Sequence, residues 1–328
     1  MPRESREIHL VRRPGGLPRE DDFALVVTEV ADPKDGEVVV ENLYMSVDPA
    51  MRPRMTAGQA LGEAMGGGAI GRVIASRNAA FDEGDLVNNR FGFREFFLTD
   101  GKGLSKLAPE AGLPLTVHMH ALGGTGFTAY GGLLHVGALQ EGEQVFVSTA
   151  GGAVGSVAAQ IAKIKGCRVV GSTGADEKAL WLKNDCGLDV VINYKKEPIR
   201  QALETATPKG LDVYFDNVGG EHLEAALRRM NTLGRIPVCG MISGYNTSGA
   251  PVRNLSNIIY SRVMLRGFVA TDFMHLYEAF RADMTGWLRD GQIKYQETIF
   301  EGIDQAPAAL IGLFSGVNAG KMLVKLAD

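Results

Sequence analysis

The chain has 328 residues, 45% of them hydrophobic and 22% charged, with a formal net charge of −4. That length is a prior for about two domains with ample core, and no basic block offers a stripe to nucleic-acid phosphates. No apolar run approaches the roughly 18 residues of a membrane helix, and the charged N-terminal stretch MPRESREIHLVRR lacks the apolar segment of a secretory signal.

The cysteines Cys167, Cys186 and Cys239 are far apart and show no CxxC spacing. Such a set builds neither a disulfide framework nor a zinc cluster and suits the reducing cytoplasm. The 42 glycines occur without a low-complexity run, which points to many tight turns.

The first third reads as all-β. Residues 23–30 (FALVVTEV) and 37–43 (EVVVENL) are β-rich runs separated by the turn residues Asp32-Pro33-Lys34-Asp35-Gly36. Ser46-Val47-Asp48-Pro49 ends that pattern and opens a loop flanked by Met45, Met51 and Met55. Residues 57–68, polar and Gly-rich, are expected to be mobile. Strands resume at 69–76 and after Glu83-Gly84-Asp85, and 91–98 alternates around aromatics. Many short strands with turn punctuation indicate a small barrel.

From Gly123 the grammar changes. Residues 125–135 predict a helix, and 145–162 (VFVSTAGGAVGSVAAQIA) read as strand, small-residue turn and helix. Strands follow at 167–172, 189–193, 210–217, 234–239 and 265–270, with helices at 176–186, 199–206, 221–230 and 274–288. This alternation of β-branched strands with helices predicts a doubly wound parallel α/β sheet. A short tail follows: strand 295–300, helix 306–313 and strand 322–326. It is too short for a domain and should return to the first one.

The turn Ala150-Gly151-Gly152-Ala153-Val154-Gly155 fits the dinucleotide fingerprint, with Ala at the first position. Ala150 is expected to permit the sharp exit from the strand. Gly152 lets the backbone approach a pyrophosphate, and Gly155 lets the helix pack closely on the sheet. The second strand ends Gly171-Ser172-Thr173-Gly174 without the acid that bonds a ribose 2′-hydroxyl, and no acid occurs until Asp176. With Lys178 beyond it and Tyr194-Lys195-Lys196 closing the third strand, the pattern favours a 2′-phosphate and hence NADP. A catalytic zinc needs three protein ligands. The first domain holds no Cys and only His9, His118 and His120, and the pair His118/His120 is read as structural, so no metal is expected. No Gly-x-Ser-x-Gly elbow is present, which leaves hydride chemistry from the cofactor. Tyr260, before the sixth strand, and Tyr245, after the fifth, are candidate donors to a substrate oxygen.

Several stretches carry a family likeness. They are NLYMSVDP (42–49), GFTAY (126–130), AGGAVGS (150–156), DVYFDNVGGE (212–221), CGMISGYN (239–246) and NAGK (318–321). The whole chain resembles the medium-chain dehydrogenase/reductase superfamily, and within it the zinc-independent leukotriene dehydrogenases, prostaglandin reductases, curcumin reductases and alkenal double-bond reductases. The resemblance implies a GroES-like barrel domain over 1–122 and 289–328, with a Rossmann NADP domain inserted over 123–288. It implies pyrophosphate binding by Gly152, Ala153, Val154 and Gly155, and 2′-phosphate binding by Lys178 and Tyr194. Asn217, Cys239, Tyr245, Phe268 and Asn318 would line the track from adenosine to nicotinamide, and Tyr260 would stand near the nicotinamide ribose and the reacting carbonyl. Ser46 occupies the place of a zinc-ligand Cys. Where the family has Tyr in its Asp-Pro-Tyr-Met loop this chain has Ala50, and Phe93 and Phe96 replace the usual Trp and Tyr of the aromatic strand. Ala50 and Phe93 therefore border a pocket whose substrate is not carried over.

The resulting expectation is an NADPH-dependent reductase that delivers hydride to the β-carbon of an enone or enal, with Tyr260 serving the enolate oxygen. Two alternatives are quinone reduction on the same scaffold and a non-catalytic NADPH-binding protein. A homodimer joined through the sixth strands is implied by the resemblance.

Overall fold

The structure, a computed structural model, describes residues 3–247, 249 and 251–328. Met1 and Pro2 of the charged N-terminal stretch, together with Ser248 and Ala250, lie outside the described residues. The chain forms two compact units: Met1–Met119 with Glu297–Asn318 and Met322–Asp328, and His120–Gln296 with Ala319–Lys321.

In the first unit β1 (Arg3–Leu10) pairs antiparallel with β2 (Phe23–Val30) from Arg3↔Val30 to Leu10↔Phe23. Nothing in the sequence reading foresaw β1, because polar Ser5 and Glu7 occupy buried positions and hide the apolar alternation. Their polarity is satisfied by hydrogen-bond partners within the first unit. Ser5 Oγ donates to the Phe96 carbonyl at 2.9 Å, and Glu7 is bonded to His9 Nε2 at 2.9 Å. Strand β3 (Val38–Ser46) runs on to Ser46, and the loop after it carries a short helix α1 (Met51–Thr56).

Residues 57–68 are not a mobile loop. Gly62 N–H bonds the Leu10 carbonyl at 2.8 Å and Met65 N–H the Ile8 carbonyl at 2.9 Å, so that β4 (Glu63–Ala64) adds to β1. Buried Met65 is the apolar anchor that makes this ordering favourable. Strands β5 (Ala69–Ser76), β6 (Leu86–Asn89), β7 (Phe96–Thr99) and β8 (Ser105–Lys106) complete the N-terminal part. The expected strand at 91–98 is cut short. Phe93 adopts φ +65°, and its carbonyl accepts from Ile8 N–H at 2.9 Å.

The second unit opens with α2 (Gly124–Tyr130), which continues as a π-helical turn over Gly131–Val136. The expected parallel sheet follows. Its strands are β9 (Gln144–Val147), β10 (Arg168–Thr173), β11 (Val190–Asn193), β12 (Leu211–Phe215), β13 (Met230–Val238) and β14 (Met264–Gly267), in spatial order β11-β10-β9-β12-β13-β14. Between them run α3 (Ala153–Ile164), α4 (Asp176–Asn184), α5 (Ile199–Ala206), α6 (Gly220–Leu227) and α7 (Asn257–Ser261). This is the doubly wound order, whose ligands bind beyond the carboxyl ends of the strands. Helix α6 stops three residues short of the expected 230, because buried Met230 begins β13 opposite Leu211. Likewise α8 (Tyr277–Arg289) starts late, preceded by a 3-10 run over Ala270–Leu276 that is interrupted at Phe273.

The tail then returns, as expected of it. β15 (Glu297–Glu301) and β16 (Lys321–Lys325) join the sheet of the first unit, with β16 antiparallel to β3 at Leu323↔Ser46. Helix α9 (Ala306–Ser315) between them buries Leu310 and Leu313 in the core with Met45, Met55 and Phe93.

Candidate functional site

The turn between β9 and α3 is the anchor of the second unit. The residue that makes the sharp exit from the strand is Thr149, at φ +51°, and not Ala150, which is wholly buried beside Gly171. Gly152 is the N-cap of α3, and the first helical bond runs from Ser156 N–H to its carbonyl at 2.9 Å. The N–H groups of Ala153, Val154 and Gly155 therefore precede the first intrahelical acceptor, at the positive end of the helix dipole. That is a cradle for an anion. Only glycine fits at Gly155, since a Cβ there would lie 2.2 Å from the Thr149 carbonyl oxygen.

The turn is held from two sides that sequence reasoning did not anticipate. Gly320 N–H donates to the Gly151 carbonyl at 3.0 Å, and Gly320 itself sits at φ +63° with Gln296 O only 1.9 Å from where a Cβ would be. His120 Nε2 donates to the Ala153 carbonyl at 3.1 Å. Burial pushes the His120 pKa down to about 4, so its imidazole is neutral near pH 7. The NAGK stretch at 318–321 was the one visible sign of the strap, and His120 carried no sign beyond its spacing from His118. His118 is also buried, with its Nε2 accepting from Glu110 N–H at 3.3 Å.

At the end of β10 the basic residues gather. Lys178 lies across Gly151, where a Cβ would be 3.2 Å from the Lys178 Cβ and Cδ. The Tyr194 hydroxyl lies over Gly174, 2.8 Å from where a Cβ would be, with Lys195 Cε at 3.1 Å from that point. Burial, and then the nearby Lys195 charge, lowers the pKa of Lys178. Asp176, the first acid after the strand, is occupied elsewhere: it pairs with Lys196 and accepts from Asn193 Nδ2 at 2.8 Å. A corner with two ammonium groups and a phenol, whose nearest acid is paired outward, suits a phosphate dianion.

Beyond β12, Asn217 is fixed by its side-chain N–H to the Ser148 carbonyl at 2.7 Å and its backbone N–H to Ser148 Oγ at 2.9 Å. Asp216 beneath it accepts from Tyr214 Oη at 2.6 Å and from the N–H groups of Val218 and Gly219 at 2.9 and 2.8 Å. Cys239 donates its backbone N–H to the Asp216 carbonyl at 2.8 Å, and burial, reinforced by Asp216, pushes its thiol up to about 12. The Tyr245 hydroxyl folds back to accept from Met241 N–H at 3.3 Å beside Gly240. These residues thus share one loop cluster. Phe268 packs edge-on against Phe215 with centroids 6.2 Å apart, and also against Gly132, where no Cβ could fit. None of Ser148, Asp216 or Tyr214 was foreseen as a site residue, although all three lie within the stretches 145–162 and DVYFDNVGGE.

Tyr260 stands apart from these groups, on α7, with 77% of its surface exposed. Ala50, Phe93 and Asn318 belong to the first unit. Ala50 is exposed at the N-cap of α1, whereas Phe93 is wholly buried against Met51 and Gly67 and shows no face to a ligand. Phe93, expected beside a pocket, has its ring in the core of the first unit.

Comparison with known proteins decides the family. Residues 6–107 match the family described as N-terminal domain of oxidoreductase, and residues 153–286 the family described as zinc-binding dehydrogenase. The chain is 43% identical to prostaglandin reductase 1 of Rattus norvegicus, covering 94% of this chain and 95% of that one. It is 40% identical to 2-alkenal reductase (NADP(+)-dependent) of Nicotiana tabacum, covering 95% and 94%. The crystal structure of CurA in complex with NADPH from Vibrio vulnificus matches with a TM-score of 0.93 at 37% identity, covering 98% and 99%. The chain belongs to the medium-chain dehydrogenase/reductase superfamily. Within that superfamily it falls in the zinc-independent branch of prostaglandin, curcumin and alkenal reductases, and it is an NADP-dependent oxidoreductase. One matched family carries zinc in its description, yet among the described residues no three His, Cys, Asp or Glu side chains are grouped to hold a metal ion. Ser46 donates its hydroxyl to the Asp48 carboxylate. Among the described residues no helix is long and apolar enough to cross a membrane.

Proposed function

We propose that the chain reduces the carbon–carbon double bond of α,β-unsaturated aldehydes or ketones, with NADPH as reductant and the β-carbon as hydride acceptor. The observation that carries this reading is the near end-to-end likeness to a 2-alkenal reductase at 40% identity. The arrangement of donors supports the cofactor half. Backbone N–H groups of Ala153, Val154 and Gly155 face the diphosphate, and Lys178 and Tyr194 take the 2′-phosphate. Asn217, Cys239, Tyr245 and Phe268 of the second unit line the path to the nicotinamide on this reading.

When bound, NADPH supplies the hydride. The remaining work falls to the protein, and we assign Tyr260 Oη to hydrogen-bond the carbonyl oxygen as negative charge develops there, lowering the barrier to enolate formation. Solvent or Tyr260 then returns a proton to the α-carbon. Ala50 stands where the family has Tyr, which removes both that ring and its hydroxyl.

The exposure of Tyr260 suits a second assignment, a homodimer. Strand β14 ends the parallel sheet with all four of its residues exposed, and Ile259 beside Tyr260 is 74% exposed. An open apolar strand edge is a template for pairing with another copy. Sedimentation at micromolar concentration tests this: a dimer is expected, and a monomer contradicts it. A cytoplasmic setting is supported by three unpaired thiols.

The function is tested by following NADPH oxidation with 2-alkenals, enones and quinones in parallel, with and without a chelator. Consumption with alkenals and enones, undiminished by the chelator, is expected. Faster turnover of quinones favours the quinone reductase alternative, and tight NADPH binding without consumption of any acceptor favours a binding protein.

A further inference from the structure

A ladder of rings connects the core of the second unit to the basic corner. Tyr214 and Phe146 stack with centroids 4.8 Å apart and planes 16° from parallel. His222, in the first turns of α6, continues the stack parallel to Phe146 at 6.4 Å. Its other contact is Tyr194, met edge-to-face at 5.1 Å and 83°. His222 is buried, and its Nε2 has no hydrogen-bond partner among the described residues. A polar atom buried without a partner is costly, and the contacts that hold the ring here are aromatic. What it does is present an aromatic wall to a tyrosine that is itself 40% exposed and whose hydroxyl overhangs Gly174.

We propose that His222 is a positioning residue for cofactor selectivity, holding the Tyr194 ring so that its hydroxyl stands ready for the 2′-phosphate. This rests on the assignment of Lys178 and Tyr194 to that phosphate. The physical argument is one of preorganisation. A half-exposed tyrosine loses rotamer freedom when it binds, and a ring already leaning on a buried neighbour has less to lose. Only a ligand with a 2′-phosphate uses the Tyr194 hydroxyl, so the benefit reaches NADP and not NAD. Burial lowers the His222 pKa to about 4, so the imidazole adds no charge at neutral pH and acts through its shape.

Calorimetric titration of NADP⁺ and NAD⁺ into the wild type and the variants His222→Ala, His222→Leu, His222→Phe and Tyr194→Phe tests this. An edge-to-face aromatic pair is worth enough that Ala and Leu should each weaken NADP⁺ binding by about three- to tenfold while NAD⁺ stays within about twofold. Leu fills the volume and keeps the assay informative should the Ala protein fold poorly. Phe, which restores the ring, should bind both nucleotides as the wild type does. Equal losses for NADP⁺ and NAD⁺, no loss in Ala and Leu, or a loss in Phe as large as in Ala each overturn the proposal. Tyr194→Phe separates the two layers. If it leaves NADP⁺ binding unchanged, the phosphate assignment itself fails and the inference falls with it. If it weakens NADP⁺ while the His222 variants do not, the inference alone fails.

Discussion

The residues assigned to the cofactor and those assigned to the substrate are built differently. Around the phosphate turn the backbone is held by neighbours: Gly155 by the Thr149 carbonyl, Gly151 by Gly320 and Ala153 by His120, and the Tyr194 ring leans on His222. The residues expected near the substrate are less constrained. Ala50 is exposed, and Tyr260 is mostly exposed on a five-residue helix. A cofactor is one invariant ligand, and a rigid cradle lowers the ordering cost of binding it. A substrate side assembled from exposed side chains can change specificity without disturbing that cradle. On this reading the backbone cradle anchors the diphosphate, the side chains of Lys178 and Tyr194 select the 2′-phosphate, and exposed side chains set the substrate.

The largest effect that could break this contrast is at Gly155. Adding a Cβ 2.2 Å from the Thr149 oxygen forces the backbone to move. Gly155→Ala should lose stability on the order of 3 kcal/mol, the upper range for overpacking, and NADP⁺ affinity with it. Chemical denaturation and nucleotide titration read both, and unchanged affinity would show that the cradle is not rigid. Next comes Tyr260→Phe, which should lower kcat by about 100-fold, the low end for a lost proton donor, without changing NADP⁺ affinity. Unchanged kcat removes Tyr260 from the chemistry. Lys178→Ala should shrink the ratio of kcat/KM for NADPH over NADH by about tenfold, as expected for one charge-assisted hydrogen bond. A wild type that prefers NADH from the start contradicts the assignment.

The smallest expected effect concerns pH. In the unfolded chain an imidazole takes up its proton near pH 6.5, whereas burial holds His120 and His222 to about 4 in the folded chain. Between those values the unfolded state binds more protons, so stability falls as pH is lowered from about 6.5 towards 4. His222→Phe removes one of the two groups. Its Tm should fall less over that interval than the wild type's, by roughly 2–5 °C. Parallel curves would contradict the buried, neutral state assigned to His222.

Much of the fold was legible in the sequence, for definable reasons. The runs at 23–30 and 199–206 became β2 and α5 with the same limits, because their periodicity is uninterrupted. The parallel sheet emerged from β-branched strands whose burial on both faces leaves little room for polar residues. Strand β1 escaped because Ser5 and Glu7 satisfy their polar groups through distant residues that no local window contains. Thr149 and Phe93 escaped because a left-handed backbone at a residue other than glycine is a product of tertiary packing. In the site, the glycines and Lys178 were readable as chemistry. His120, His222 and Gly320 were not, since their roles come from which backbone or ring they touch across long sequence separations.

The central claim is most directly tested by the position of a transferred label. The protein is incubated with a 2-alkenal and NADPH carrying deuterium at the transferable position, and the product is analysed by NMR. The account predicts a saturated aldehyde with deuterium on the β-carbon. Deuterium on the carbonyl carbon of an allylic alcohol, or no transfer to the alkenal at all, would contradict it.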